Sequence, residues 1–280
     1  MKKILITGAG SYVGESVKAF LLQWPAQYQV DIVHIKTDEW KQLSFGGYDS
    51  VFHVAGIAHI KESDENRALY YKVNRDMAVE IAKKAKEAGV KQFIFMSTMS
   101  VYGMETGVIT KDTPTNPKNS YGDAKLQAEE IISDLADTAF KICTLRPPMI
   151  YGKNCKGNFQ SVIRIVKKSP VFPKVRNQRS LIYIDNFSCF VKKAIDEELE
   201  GLYFPQNREY MNTTQMAIWI AETLGKKVFI SVIAGAGVKC IQPVVGLAKK
   251  AFGTLIYKDI EDFNFEYCIV GLEESIKRSI

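Results

Sequence analysis

The first fourteen residues restrict the folds open to this chain more than any other stretch. Lys3 to Ile6 is a short apolar run that enters Thr7-Gly8-Ala9-Gly10-Ser11-Tyr12-Val13-Gly14, after which Val17, Leu21 and Trp24 recur at helical spacing. The order is strand, glycine-rich turn, helix. A second apolar run, Val30 to Ile35, follows Pro25 and closes a βαβ unit about as long as such a unit must be. A helix that starts just after such a turn aims unpaired N–H groups and the positive end of its dipole at whatever lies in front, which favours a phosphate. Strand-to-helix turns also use glycine for steric reasons alone. The turn gains weight from its place at the first βα connection of a parallel sheet, where dinucleotides bind.

The alternation continues. A third strand is predicted at Asp49 to Gly56, followed by a long helix on which Leu69, Val73, Met77, Ile81 and Ala85 step by four residues until Gly89 stops it. The strand Gln92 to Met96, a helix from about Ser120 to Ala136 carrying Leu126, Ile131 and Leu135, and the strand Lys141 to Leu145 follow, and Pro147-Pro148 ends that strand. Near-continuous apolar strands alternating with amphipathic helices define an α/β fold with a doubly wound, Rossmann-type parallel sheet. The rhythm loosens after Tyr151-Gly152, where a helix from about Phe159, a strand at Leu181 to Ile184 leading into a helix capped by Asp185, and a helix capped by Asn212 are expected. The predicted division is a dinucleotide-binding domain at 1–152, rejoined by 179–200, and a smaller C-terminal substrate-binding part at 153–178 and 201–280.

Composition narrows the function. With 280 residues, 46% hydrophobic and 24% charged, the chain is too apolar for disorder and long enough for one nucleotide-binding unit with an annex. The net charge of +6 suits an anionic ligand of nucleotide size. The basic group Lys83, Lys84, Lys86 and Lys91 reads as a solvated helix face, so no nucleic-acid partner is expected. Five scattered cysteines, with no CxxC and no histidine spaced for a metal, fit reduced thiols in a cytoplasmic protein without a metal site. The apolar run after Met1 is too short for an export signal. The apolar stretch Val228 to Ala248 carries Lys239 near its centre, at a cost of about 2.5–3.5 kcal/mol in a bilayer, and Pro243 besides, so no membrane span is expected.

Tyr121-Gly122-Asp123-Ala124-Lys125 sets a phenol and an ammonium one helical turn apart on one face. A nearby cation favours a phenolate, and lowering a tyrosine pKa by about three asks roughly 4 kcal/mol of Lys125 and the positive ring of a cofactor. Ser97-Thr98 lies at the carboxyl end of the preceding strand, where ligands of parallel sheets bind. His53 and His59 read as structural or loop histidines, Tyr102 and Tyr151 as cleft or core aromatics, and Arg146 as a buried ion-pair partner. Selectivity for the adenosine ribose falls at the exit of the second strand, where Lys36 favours NADP and Asp38 favours NAD; the reading adopted is NAD, with NADP the alternative.

With the glycine loop, Asp49 to Gly56, Ser97-Thr98-Met99-Ser100-Val101-Tyr102-Gly103 and YxxxK in this order, the chain resembles the extended short-chain dehydrogenase/reductase family, and within it the nucleotide-sugar epimerases of the UDP-glucose 4-epimerase type. Asn74, Leu145-Arg146-Pro147-Pro148-Met149-Ile150-Tyr151-Gly152, Gly157-Asn158-Phe159 and Arg179 to Asn186 extend the resemblance to about residue 225. The resemblance implies Tyr121 as the base, Lys125 as the residue that lowers its pKa and holds the nicotinamide ribose, and Thr98 as a hydrogen-bond partner of the reacting oxygen. It implies Gly8, Gly10, Ser11, Tyr12, Val13, Gly14 and Ala55 as further cofactor contacts, Asn158 against the substrate nucleotide and Arg179 against its diphosphate. The expected function is NAD-dependent epimerisation of a UDP-sugar at C4 through a 4-keto intermediate, in surface polysaccharide precursor synthesis. The rivals are an NADPH-dependent 4-keto-sugar reductase and a catalytically idle nucleotide-binding protein. A homodimer through the helices around 66–88 and 120–136 would fit the family. Three departures stand out: Ser11 replaces a loop glycine, Met149 replaces an asparagine, and the segment from Ile35 to Asp49 is short enough to lack a strand or helix.

Overall fold

The computed structural model describes residues 1–58, 62–241, 246–260 and 264–280. His59 and part of the apolar stretch after Val228 lie outside them. Six parallel strands form the central sheet: β1 (Lys2–Thr7), β2 (Tyr28–Val33), β3 (Ser50–His53), β4 (Gln92–Met96), β5 (Lys141–Leu145) and β6 (Gly201–Tyr203), in the spatial order β6-β5-β4-β3-β1-β2. Because β1 pairs with β2 on one side and β3 on the other, the chain reverses direction across the sheet there. The short segment after β2 accounts for its edge position. Between Val33 and Ser50 the chain makes one 3-10 turn, Asp38–Lys41, buries Trp40 and Phe45, and crosses directly to the far side of β1.

Alternate strand residues feed the two faces. Ile4, Ile6, Phe52, Ile94 and Cys143 meet helices α1 (Tyr12–Leu21) and α6 (Ile184–Asp196). Leu5, Val51, Phe93, Phe95 and Ile142 meet α3 (Met77–Glu87) and α4 (Ser120–Ser133). Both faces are covered, as continuous apolar strands require.

The long helix predicted after β3 is α2 (Asp64–Tyr71) joined to α3 through one π-helical turn, Lys72–Asp76. The extra residue per turn shifts the buried face, so Ile81 and Ala85 are buried while Leu69 is 42% exposed. On α4 the predicted apolar face is corrected at one position: Leu126 and Leu135 pack against buried clusters, but Ile131 is 41% exposed. The buried residues are Ser120, Gly122, Ala124, Lys125, Ala128, Glu129 and Ile132. Small residues let the helix lie close to the sheet, and two charged side chains occupy the inward face.

Beyond β5 a separate apolar cluster forms from α5 (Asn158–Lys168), α7 (Thr213–Thr223) and the C-terminal helix Leu272–Arg278, with Phe159, Phe172, Met216, Ile220 and Ile276 inside it. Short parallel pairs link its segments: Met149–Tyr151 with Leu181–Tyr183, and Val171–Pro173 with Phe229–Ser231. Gly201–Tyr203, grouped by sequence with the second part, instead extends the central sheet beside β5. Tyr267 likewise packs edge-on against Phe190 of α6. Asn212 caps α7 as expected, its side chain accepting from the Gln215 N–H. Asp185 is not a cap, because α6 begins one residue earlier, with Tyr183 at its N-cap.

Candidate active site

The reversal at β1 separates the loops that leave β1 and β3, and a ligand crevice opens at such a point at the carboxyl ends of the strands. The loop after β1 is built for close approach. Gly8 has φ +137°, and a Cβ there would lie 3.0 Å from the Ala55 nitrogen; a Cβ on Gly14 would lie 2.6 Å from Ser11 Oγ. Ser11 adopts ordinary extended geometry as the N-cap of α1, and its Oγ accepts from the Gly14 N–H at 3.1 Å. The left-handed position falls on Gly10, φ +77°, whose N–H donates to Glu15 at 2.8 Å. The serine departure therefore exchanges a glycine for a helix cap. It satisfies Gly14 and leaves the N–H groups of Tyr12 and Val13 at the mouth of the helix without an intrahelical acceptor. Two free donors at a helix N-terminus fit a pyrophosphate.

Across the crevice, Asn74 sits fully buried in the π-helical turn and clamps the loop after β3. Its carbonyl accepts from the Ile57 N–H at 2.8 Å and its amide donates to the Ile57 carbonyl at 3.1 Å. Gly56 passes directly over it, where a Cβ would lie 2.6 Å from Asn74 Oδ1 and 3.5 Å from Lys125 Nζ. Ala55 donates its N–H to the Thr7 carbonyl. At the exit of β2, His34 lies beside Gly10, Asp31 accepts from Tyr48, and Asp38 pairs with Lys41 at 3.3 Å.

The first turn of α4 presses against the turn that follows β4. A Cβ on Gly122 would lie 2.6 Å from the Ser100 carbonyl, so only glycine lets the helix come this close. Asn119 caps the helix, and the Glu62 carboxylate takes both the N–H and the hydroxyl of Ser120. Tyr121 is thereby set beside Thr98, whose Oγ1 accepts from the Ser100 N–H at 3.1 Å and donates to Ser100 Oγ at 3.2 Å. One turn on, the Lys125 ammonium donates to the Met96 carbonyl at 2.7 Å and lies 4.6 Å from the centre of the Phe95 ring. The structure thus brings Thr98, Tyr121 and Lys125 together at the carboxyl edge of β4.

Their protonation differs from the sequence expectation. Burial pushes the Tyr121 phenol above its ordinary value, with the Thr98 hydroxyl acting in the opposite direction and nearby Tyr70 adding to the rise. Burial also draws Lys125 down to about 7, opposed by the Glu129 carboxylate. Burial thus weakens the positive charge that would favour a Tyr121 phenolate, which leaves the larger share of that lowering to the positive ring of a bound cofactor.

Glu129, one turn beyond Lys125, belongs to a network that sequence reasoning missed. Arg146 donates Nε to both Glu129 oxygens at 3.1 and 3.0 Å and a terminal nitrogen to Oε2 at 2.5 Å, while its other arm reaches the Tyr102 hydroxyl at 2.9 Å. Ser97, next to Thr98, also bonds Glu129. The available signal was the i, i+4 spacing from Lys125. Arg146 is the buried ion-pair partner expected of it, and Tyr102 is drawn into the same pair. Buried His53 bonds Thr7 Oγ1 at 2.8 Å.

Asn158 lies in the second part, and Arg179 opens the segment that rejoins the first, bridging to Met211 and Leu255 of the second. Arg179 is half-buried, donates to the Gly253 carbonyl at 2.9 Å, and has no carboxylate partner among the described residues. Asn158 is the first residue of α5, also half-buried. Among the described residues no group of three or more His, Cys, Asp or Glu could hold a metal ion.

Fold and site together define an α/β protein with a glycine-rich loop after β1 and a Tyr–Lys pair at the carboxyl edge of β4. The NAD dependent epimerase/dehydratase family model matches residues 4–204, and the chain belongs to that family. It is 29% identical over 252 residues to a UDP-glucose 4-epimerase of Vibrio cholerae, covering 80% of this chain and 76% of that one. It is 27% identical over 192 residues to an N-acetyl-alpha-D-glucosaminyl-diphospho-ditrans,octacis-undecaprenol 4-epimerase of Escherichia coli O157:H7, 66% of this chain but 57% of that protein. The structure superposes on a UDP-glucuronic acid 4-epimerase from Bacillus cereus in complex with NAD with a TM-score of 0.75 at 19% identity, covering 99% and 97% of the two chains. At that identity the likeness is one of fold.

Proposed function

We propose that this protein is an NAD-dependent epimerase that inverts C4 of a UDP-sugar. The observation that carries the reading is the meeting of Thr98, Tyr121 and Lys125 at the carboxyl edge of β4, across the crevice from the unpaired N–H groups of Tyr12 and Val13. NAD would rest on those donors, on the Gly8–Gly14 loop and along Ala55, and when bound it supplies a hydride acceptor and a positive ring that favours a phenolate. Tyr121 takes the proton of the sugar 4-hydroxyl while the C4 hydride leaves, which gives a 4-keto sugar. Thr98 holds the oxygen in line. The keto sugar would turn over in the pocket, Tyr121 would return the proton to its oxygen, and C4 would take the hydride back from the bound cofactor on its other face, so no net oxidation would occur. Lys125 orients the nicotinamide ribose and stabilises the anionic form of Tyr121.

Residues 153–178 and the segments after β6 form the substrate side of this reading. The Arg179 guanidinium, lacking a carboxylate, matches a diphosphate in bidentate fashion, and Asn158 would meet the nucleotide. A homodimer through α2–α3 and α4 is part of the same reading, supported by the exposure of Leu69 and Ile131 on those helices. His34 and Lys36 at the exit of β2 keep one rival specific, because they would tolerate the 2′-phosphate of NADPH used by a 4-keto-sugar reductase.

Incubation with a panel of UDP-hexoses, followed by separation of C4 epimers, tests the proposal. NAD released on denaturation and equilibration of one epimer pair without added cofactor are expected. Net consumption of NADPH would replace the epimerase by the reductase. Tyr121→Phe should abolish turnover with NAD affinity nearly unchanged, and full activity in that variant would exclude the assigned base.

A further inference from the structure

The smaller part of the molecule carries a charge pattern and an exposed apolar surface that the proposed reaction does not use. From Lys153 to Arg176 there are seven Lys and Arg and no acidic residue, and from Thr223 to Lys258 six Lys and no acidic residue. The smaller part as a whole holds 16 basic and 8 acidic residues and the rest of the chain 21 and 23, so the overall +6 is carried by this one lobe. Arg164, Lys167, Lys168, Lys174, Lys226 and Lys227 are all exposed. None of them pairs with a carboxylate among the described residues.

Large apolar side chains stand among these cations. Phe229 is 76% exposed, Val232 67% and Ile233 87%, and Val171 is 43% exposed. Val171 and Phe229 are register partners in a parallel pair, so their side chains stand on one face of it. The strand that carries Phe229 runs directly into α8 (Val232–Ile241). That helix lies on the Lys174 backbone through Gly235, where a Cβ would meet the Lys174 carbonyl at 2.1 Å. With Gly235 inward, Val232, Ile233 and Ala236 are left in solvent. Lys226 is held near this edge by its bond to the Lys167 carbonyl at 2.6 Å.

We infer that this lobe docks on an anionic lipid bilayer, with Phe229, Val232 and Ile233 entering the headgroup boundary and the surrounding lysines and arginine meeting lipid phosphates. Apolar anchors ringed by cations match a surface with hydrocarbon below and negative charge above. A phosphate backbone alone would meet the cations but offer nothing to an 87%-exposed isoleucine. No helix among the described residues is long and apolar enough to cross a membrane, so the contact is peripheral. It would hold the substrate side of the crevice near the membrane face, independently of which sugar is used.

Co-sedimentation of the full chain with vesicles of equal phosphatidylglycerol and phosphatidylcholine, against phosphatidylcholine alone, tests this. Binding to the anionic vesicles alone is expected, weakening as salt rises. Each cation near such a surface contributes about a fivefold factor, so Lys226→Gln with Lys227→Gln should lower the partition coefficient about 25-fold. Phe229→Ser with Ile233→Ser should also lose binding, with NAD affinity unchanged as the check on folding. Absence of binding to anionic vesicles, equal binding to both compositions, or binding retained without the two apolar side chains would overturn the proposal. So would retention on homopolymeric RNA without vesicle binding, or a dimer in solution that Ile233→Ser dissociates while vesicles are ignored, which would make a second copy the cover.

Discussion

Replacing Lys125 with methionine should remove the activity and make the protein more stable. Lys125 is 3% exposed, and burial lowers its pKa from 10.5 to about 7. In the unfolded chain the lysine stays protonated up to about 10.5, whereas in the folded chain it gives up its proton from about 7. Over that window the unfolded state binds more protons, so the cost of burying this group is full below 7 and fades as pH rises towards 10.5. At 1.36 kcal/mol per pH unit, the cost is about 4 kcal/mol at pH 7 and about 2 kcal/mol at pH 9. Methionine keeps the packing of the stem and has no charge to desolvate, though it forfeits the bond to the Met96 carbonyl, worth about 1–2 kcal/mol. The variant should therefore gain about 2–3 kcal/mol at pH 7, an advantage that shrinks to near zero by pH 9. Urea unfolding of both proteins at pH 6, 7, 8 and 9 measures the gap. A variant no more stable than the parent at pH 7, or a gap that does not change with pH, would refute the burial cost assigned to Lys125. A positive result would mark the site as one where function is kept at the expense of stability.

Glu129→Gln should destabilise by about 3–5 kcal/mol, because the Arg146 guanidinium is left buried without its carboxylate; calorimetry would show the lowered Tm. Asn74→Ala should cost about 2 kcal/mol from two buried hydrogen bonds and weaken NAD binding through the loosened Ile57 loop, which titration calorimetry reads directly. Gly8→Ala forces a methyl group against the Ala55 nitrogen at φ +137°, so it should cost about 1–3 kcal/mol and abolish retention of NAD during purification.

The parallel α/β architecture could be read along the chain because its causes are local. Continuous apolar strands, helices with a repeating face and a glycine turn at the first crossover leave few other arrangements, and the short run from Ile35 to Asp49 already implied a truncated sheet. The proposed pair Tyr121 and Lys125 stood out because they sit one helical turn apart, and Thr98 because it lies just past the end of β4. The inward face of α4 was misread in part for an equally physical reason. Apolar periodicity places Leu126 and Leu135 correctly but also turns Ile131 inward, while the close-packed face is made of alanines, Ile132 and the charged pair Lys125 and Glu129, and no hydrophobic pattern reveals the charged pair.

What the sequence determined by itself was the order of elements and the side chains proposed to react. Only the tertiary structure decided their state. Glu129 and Arg146 are separated by a helix end and a strand and become partners only when α4 lies on β5. The cationic lobe assembles from segments some fifty residues apart in sequence, joined by the pairing of Val171 with Phe229. Lys125 is driven to about 7 by its neighbours' exclusion of water. Burial is a property of the whole packed molecule, and a side chain's chemistry follows from how much solvent the rest of the fold leaves it.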